Sequence, residues 1–158
     1  MAKRQKRTLG DVVSIDLGGG FYGYARTLEE ALYAFYDCHT KKVLPVDEIV
    51  RSPVLFQVAV MDHAVKSGCW KVLGNVPLDG ALLNPPARFI QDPLRPDQFS
   101  IYEKGRTRPA TGAEAVGLER AAVWEPGHVE DRLRDHYAGR KNKWVESLKI
   151  KSRSGTND

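Results

Sequence analysis

Gly10-Asp-Val-Val-Ser-Ile-Asp-Leu17-Gly18-Gly19-Gly20-Phe21-Tyr22-Gly23-Tyr24-Ala25-Arg26-Thr27-Leu28 is the stretch on which the reading of this chain turns. Gly18, Gly20 and Gly23 spell G-x-G-x-x-G behind an apolar run, the opening of a dinucleotide site. The same letters spell a β-hairpin. A phosphate loop needs a helix to begin at the last glycine, so that free backbone N–H groups and the positive end of the helix dipole meet the pyrophosphate. Tyr24-Ala25-Arg26-Thr27 offers β-favouring residues and no cap instead. Asp37 follows Gly23 by 14 residues, where the ribose-binding acid belongs about 20 on. The hairpin reading prevails, with the glycines supplying the positive φ values of a tight reversal.

Working outward, Val13, Ile15 and Leu17 alternate with Val12, Ser14 and Asp16, which predicts a half-buried strand, and Phe21 to Thr27 returns as the second. Leu28 to Asp37 has two readings. Leu28, Leu32, Phe35 and Tyr36 keep helical spacing, with a capping box from Thr27 and Glu30, whereas Ala31 to Tyr36 is an apolar run of strand length. Val54 to Met61 is the most continuous apolar segment and reads as a central strand buried on both faces. A short helical turn ending at Gly68 and a strand from Trp70 to Gly74 follow.

Five prolines between Pro77 and Pro96 keep that region at an edge or around the sheet, with Arg88 to Gln91 a short strand among them. Phe99 to Lys104 alternates as a strand, Thr107 to Gly112 reads as a loop, and Gly117 to Trp124 leans towards strand. The clearest helix runs from Pro126 to Gly139. Pro126 suits its first turn, Val129, Leu133 and Tyr137 form the apolar stripe, and Glu130 is spaced to reach Arg134.

Length and composition suit one domain, residues 8–148, without disulfide or metal staples. Two cysteines and no long apolar run predict a reduced, cytoplasmic protein without a membrane segment. The net charge of +4 resides in the tails: Lys3, Arg4, Lys6 and Arg7 carry +4, and Lys149, Lys151 and Arg153 against Asp158 carry +2, leaving about −2 for the body. Residues 1–7 and 149–158 are expected to be disordered. The basic pI is therefore no argument for nucleic acid.

Constellations that carry chemistry are sparse. Cys38, His39, His63 and Cys69 could supply four metal ligands, but no chelating spacing joins them, so no metal and no cofactor is expected. His128 and His136 lie on the helix, and Glu119 with Glu125 or Asp131 is the only carboxylate pairing to consider; solvated faces account for all of them. Phe21, Tyr22, Tyr24, Tyr33, Phe35 and Tyr36 around Arg26 would make a stacking platform for single-stranded nucleic acid on a small barrel, yet the body lacks the accompanying basic stripe.

Gly10 to Ile15, the glycine turn, Tyr22 to Arg26 and Leu32 to Asp37 together resemble the opening of the immunity protein 26 family of bacterial polymorphic toxin systems. Trp70, Gly74 and Pro77 are similar to its middle, and Gly117 to Glu119 with Trp124, Val129, Glu130, Arg132 and Leu133 to its closing strand and helix. The resemblance spans about residues 8–139. It implies a strand between residues 28 and 37, and a mostly β domain that binds and inhibits a cognate protein toxin without catalysis. The expected fold is α+β and β-rich: a bent antiparallel sheet, or a small barrel-like sheet, with one C-terminal helix. The expected toxin contacts are the exposed members of Phe21, Tyr22, Tyr24 and Arg26, because a glycine turn with aromatics makes an anchor-bearing tip. The same aromatics could equally fill the core. A nucleic-acid module and an uncharacterised enzyme remain as alternatives.

Overall fold

The computed structural model describes residues 3–151. Two open sheets carry the fold, one of six strands and one of three, and the fold class is α+β and strand-rich. The larger sheet begins with the hairpin of β1 (Asp11–Gly18) and β2 (Phe21–Thr27) and continues through β3 (Leu32–Tyr36) and β4 (Val54–Val60). Strand β5 (Trp70–Asn75) returns to the outer side of β1, and the two-residue β9 (Val123–Trp124) closes the other side, giving the order β5-β1-β2-β3-β4-β9. Every pair is antiparallel except β4 with β9, which makes the sheet mixed. The smaller sheet, β6-β7-β8, comprises Arg88–Gln91, Phe99–Glu103 and Arg106–Ala110.

Both faces of the larger sheet are covered. On one, Val13, Ile15, Tyr33, Phe35, Val58 and Trp70 pack under α2 (His63–Lys66) and α4 (Pro126–Ala138). Val129 and Leu133 of α4 are fully buried there, each contributing roughly 1.5–3 kcal/mol. On the opposite face, Val12, Tyr24 and Tyr36 pack with Ile49 of α1 (Val46–Ile49), and Leu28, Leu32 and Ala34 are covered by Leu78 and Leu82. Leu82 belongs to a 3-10 turn, Gly80–Leu83. This second cover is why β1 is not half-buried as its alternation suggests: Val12 and Ser14 are enclosed along with Val13 and Ile15.

Residues 32–36 form the strand that the resemblance implied, and Glu30, at φ 58°, lies in the turn before it instead of in a capping box. Several other expectations are corrected. The apolar segment at Val54 is next to the sheet's edge, and β2 and β3 occupy the centre. Thr107 to Gly112 is not a loop: residues 106–110 pair with β7, and Thr111 with Glu114 forms the capping box of α3 (Gly112–Ala115). Between Gly117 and Trp124 only β9 is strand. A short second C-terminal helix, α5 (Lys143–Ser147), follows α4. Glu130 does not reach Arg134; it accepts the Trp70 indole N–H at 2.9 Å, and Arg134 turns to Asp131.

The ends are tied down where they are described. Gln5 bonds to Val65, Trp70 and Val72, and Arg7 to Leu28, Leu32 and Tyr33, so residues 5 and 7 depart from the expectation of a free arm. Residues 148–151 are held by Arg120 and Gln91. The rest of the expected tail, residues 152–158, lies outside the described residues.

Candidate functional site

The reversal between β1 and β2 is a two-residue turn. Gly18 pairs with Phe21, and the intervening Gly19 and Gly20 have φ values of 62° and 81°, which is the left-handed pair that matches the twist of a hairpin. The Asp16 carboxylate accepts the Gly18 N–H at 2.9 Å and braces the bend. Phe21 and Tyr22 emerge from this tip half-exposed.

The chain passes beside them a second time. A bridge between Tyr22 and Thr40 lays residues 38–42 along β2. His39 is thereby placed with its ring 5.2 Å from Phe21 and stacked 3.8 Å from Tyr137 of α4. Lys41 Nζ lies 5.9 Å from the Phe21 ring, a cation against an aromatic face. His136 packs edge-on to Tyr137 and sits 3.7 Å from the Asp37 carboxylate. The helix is rooted on the hairpin by Arg134, which donates to the Leu17 carbonyl. The Tyr137 hydroxyl donates to the Tyr36 carbonyl and accepts the Cys38 N–H, and burial pushes its pKa up to about 12. Three separate segments thus converge on one aromatic and basic corner.

Of the four residues expected to form the contact surface, the structure keeps only two outside. Tyr24 is fully buried and its hydroxyl pins the 40–44 loop through Thr40, Lys42 and Leu44. Arg26 is 2% exposed and spends its guanidinium on the Gly10, Val76 and Pro77 carbonyls and the Tyr36 hydroxyl. Both work as internal ties. Phe21 and Tyr22 remain half-exposed: Phe21 is joined by His39, by Lys41 and, through the His39 stack, by Tyr137 and His136, none of them expected there, while Tyr22 packs against the Val12, Tyr24 and Tyr36 cluster. Tyr137 carried the one available signal, its position on the helical stripe, and that signal pointed to packing.

The other constellations do not assemble. His63 faces Glu125 at 3.3 Å, far along the chain from the His39 stack, and among the described residues no group of three His, Cys, Asp or Glu side chains is placed to hold a metal. Glu119 is clasped by Arg132, His128 stacks on Trp144, and the Trp144 indole and the Arg134 guanidinium hold the Asp131 carboxyl below its ordinary range. With Tyr24, Tyr33, Phe35 and Tyr36 buried, the aromatic set offers no row of exposed rings for stacking bases. Among the described residues no helix is long and apolar enough to cross a membrane.

A model of the family described as Immunity protein 26 matches residues 8–100. The matched region holds the whole larger sheet except β9, together with the tip, His39 and Lys41, and it ends before α4 supplies Tyr137 and His136. The stretch from Gly117 to Leu133, on which the resemblance also leaned, lies beyond it. No curated protein and no solved structure matches the chain.

Proposed function

Because the chain belongs to the immunity protein 26 family, we propose that it protects the bacterium that makes it by binding and inhibiting a cognate polymorphic toxin in the cytoplasm, stoichiometrically and without turnover. The observation that supports this reading best is the preformed corner of Phe21, His39 and Tyr137 with Lys41 on its flank. Aromatic side chains held by their neighbours lose little conformational freedom on binding, which suits them to anchor a contact. The flanking Lys41 steers an acidic patch of the toxin onto them. No cofactor enters this mode of action.

The test is co-expression with the toxin module encoded beside this chain, followed by titration calorimetry of the purified pair. Growth rescue and a one-to-one complex are expected. Phe21→Ala and His39→Ala should each weaken the complex by roughly tenfold or more while leaving the melting temperature nearly unchanged. Failure of the unaltered chain to rescue growth or to form the complex would overturn the immunity reading; full affinity in both variants would overturn only the choice of surface.

A further inference from the structure

The smaller sheet has two faces, and they are treated differently. Phe89 and Ile101 project to the face that is closed by Ala115 of α3. Arg88 and Ile90 alternate to the other, with Tyr102 opposite Arg88 in the register, and that face looks across at Leu32 and Ala59 of the larger sheet. The space between the sheets is a cleft made of two adjoining cavities of about 310 and 370 Å3. Glu30, Leu32, Arg88 and Tyr102 line both.

Arg88 is the unresolved charge of this cleft. It is only 7% exposed, its guanidinium rests 5.1 Å from the Tyr102 ring, and among the described residues it has neither a hydrogen-bond acceptor nor a carboxylate within ion-pair distance. The other enclosed arginines are satisfied: Arg26 by three carbonyls and a hydroxyl, Arg120 by two carbonyls and Gln91, Arg132 by Glu119. The Arg88 nitrogens reach the open space of the cleft, none being among the fully enclosed polar atoms left without a partner, so an acceptor can approach the guanidinium from outside the chain. The acids of the cleft do not serve. Glu30 accepts the Tyr102 hydroxyl at 2.9 Å, and Glu29 and Glu103 are exposed at the rim, as is Lys104. Next to Arg88 the second cavity turns apolar, lined by Ala59, Ile90, Ala121, Ala122 and Val123.

We infer that this cleft binds a carboxylate carried on a short apolar chain. Arg88 takes the carboxylate through paired N–H donors, a geometry that the planar guanidinium shares with carboxylates, and Tyr102 keeps the guanidinium in place. The alanine-lined end receives the chain against an apolar wall. The rim acids Glu29, Glu30 and Glu103 repel multiply charged anions, so a single carboxylate is favoured over phosphate. That chemistry is supplied by a free short-chain acid or by a glutamate side chain in a partner's extended segment. The site is separate from the hairpin corner and stands whether or not that corner meets a toxin.

The experiment follows the arginine Nε–H resonances of the 15N-labelled full chain at constant ionic strength, with the Arg88 signal assigned by its disappearance in Arg88→Lys. Butyrate and the capped tripeptide acetyl-Ala-Glu-Ala-amide are the carboxylate probes, with chloride and inorganic phosphate as controls. The Arg88 signal should shift saturably with at least one carboxylate probe, at concentrations about tenfold or more below those at which the controls act. Tighter binding of the tripeptide assigns the source to a partner side chain; tighter binding of butyrate assigns it to a free acid. Ile90→Glu places a carboxylate on the same strand face two residues from Arg88, leaves the arginine intact, and should shift the Arg88 signal on its own and abolish the butyrate response. No saturable shift with either carboxylate, equal shifts with the controls, or an undiminished butyrate response in Ile90→Glu would overturn the inference.

Discussion

Arg132 grips Glu119 with two parallel hydrogen bonds of 3.0 and 2.8 Å while its guanidinium lies 3.6 Å from the centroid of the Phe56 ring. One side chain of α4 thereby ties the loop before β9 to β4, using both its fork and its flat face. Lysine keeps the charge and loses both geometries. Arg132→Lys should cost about 1–2 kcal/mol, and Glu119→Gln a similar amount. Urea denaturation of the double variant should show less than the sum, and strict additivity would mean the two residues act separately.

Arg26 sets a different expectation from a surface anchor. Its guanidinium satisfies carbonyls at the start of β1 and after β5, so removing it leaves buried acceptors without donors. Arg26→Met should destabilise by about 3 kcal/mol or more. Arg26→Lys should recover only part of this, since one ammonium cannot reach all of these sites. The fraction that remains folded should bind the toxin with unchanged affinity; a variant of normal stability and lowered affinity would return Arg26 to the contact surface.

Two glycines with positive φ should differ in their tolerance. A Cβ on Gly10 would lie 2.6 Å from the Val76 carbonyl oxygen, a backbone atom held in place by its bond to Arg26, whereas a Cβ on Gly19 would meet nothing within 4 Å. Gly19→Ala should cost only the backbone conformation, about 1 kcal/mol. Gly10→Ala adds a clash and should exceed about 2 kcal/mol. Thermal melts of the two variants compare them directly, and equal shifts would show that the chain gives way freely at residue 76, just past β5.

Tyr137 gives the stability an alkaline edge. Its folded pKa is pushed up to about 12 by burial, above the ordinary value of 10. The folded state therefore holds this proton more tightly than the unfolded state between those values. Its contribution is complete below about pH 10 and is lost as the pH rises towards 12. Tyr33, raised by its own burial, acts in the same direction. Tyr137→Phe should flatten the alkaline limb of a stability profile without abolishing it, and an unchanged limb would show that Tyr137 ionises alike in both states.

What the sequence reveals of this fold depends on whether the information is local. The glycine turn and the helix from Pro126 carry their own backbone instructions, and the structure places both as read, down to the left-handed Gly139 that ends the helix. Strand β8 hides because Arg-Thr-Arg-Pro-Ala is an exposed edge whose only reason to be extended is β7 beside it. Residues 32–36 are buried on both faces, which erases the period that separates strand from helix. The same loss of period misplaces Val54 to Val60, since an apolar run reports burial and not position in the strand order. At the site, the glycine turn marks the tip correctly, but Tyr24 and Arg26 share a face with Tyr22. Only the later segments at Thr40 to Leu44 and at Val76 and Pro77 decide which of the three is covered. His39 and Tyr137 meet across about a hundred residues of chain, a juxtaposition no spacing encodes.

Gln5 has a consequence for handling the protein. Its amide donates to the Trp70 carbonyl and accepts the Val72 N–H, the two bonds that a neighbouring strand would make to the outer side of β5. A single side chain thus occupies the open rim of the larger sheet where another molecule could otherwise pair. A chain trimmed to begin at residue 8, where the family match starts, would lose this plug and present bare backbone at its longest free margin. Such a chain should associate with itself as its concentration rises, visible in light scattering, while the chain of residues 1–158 and one beginning at residue 4 stay dispersed. Solubility here hinges on a few residues around Gln5 that a boundary drawn from sequence similarity would discard.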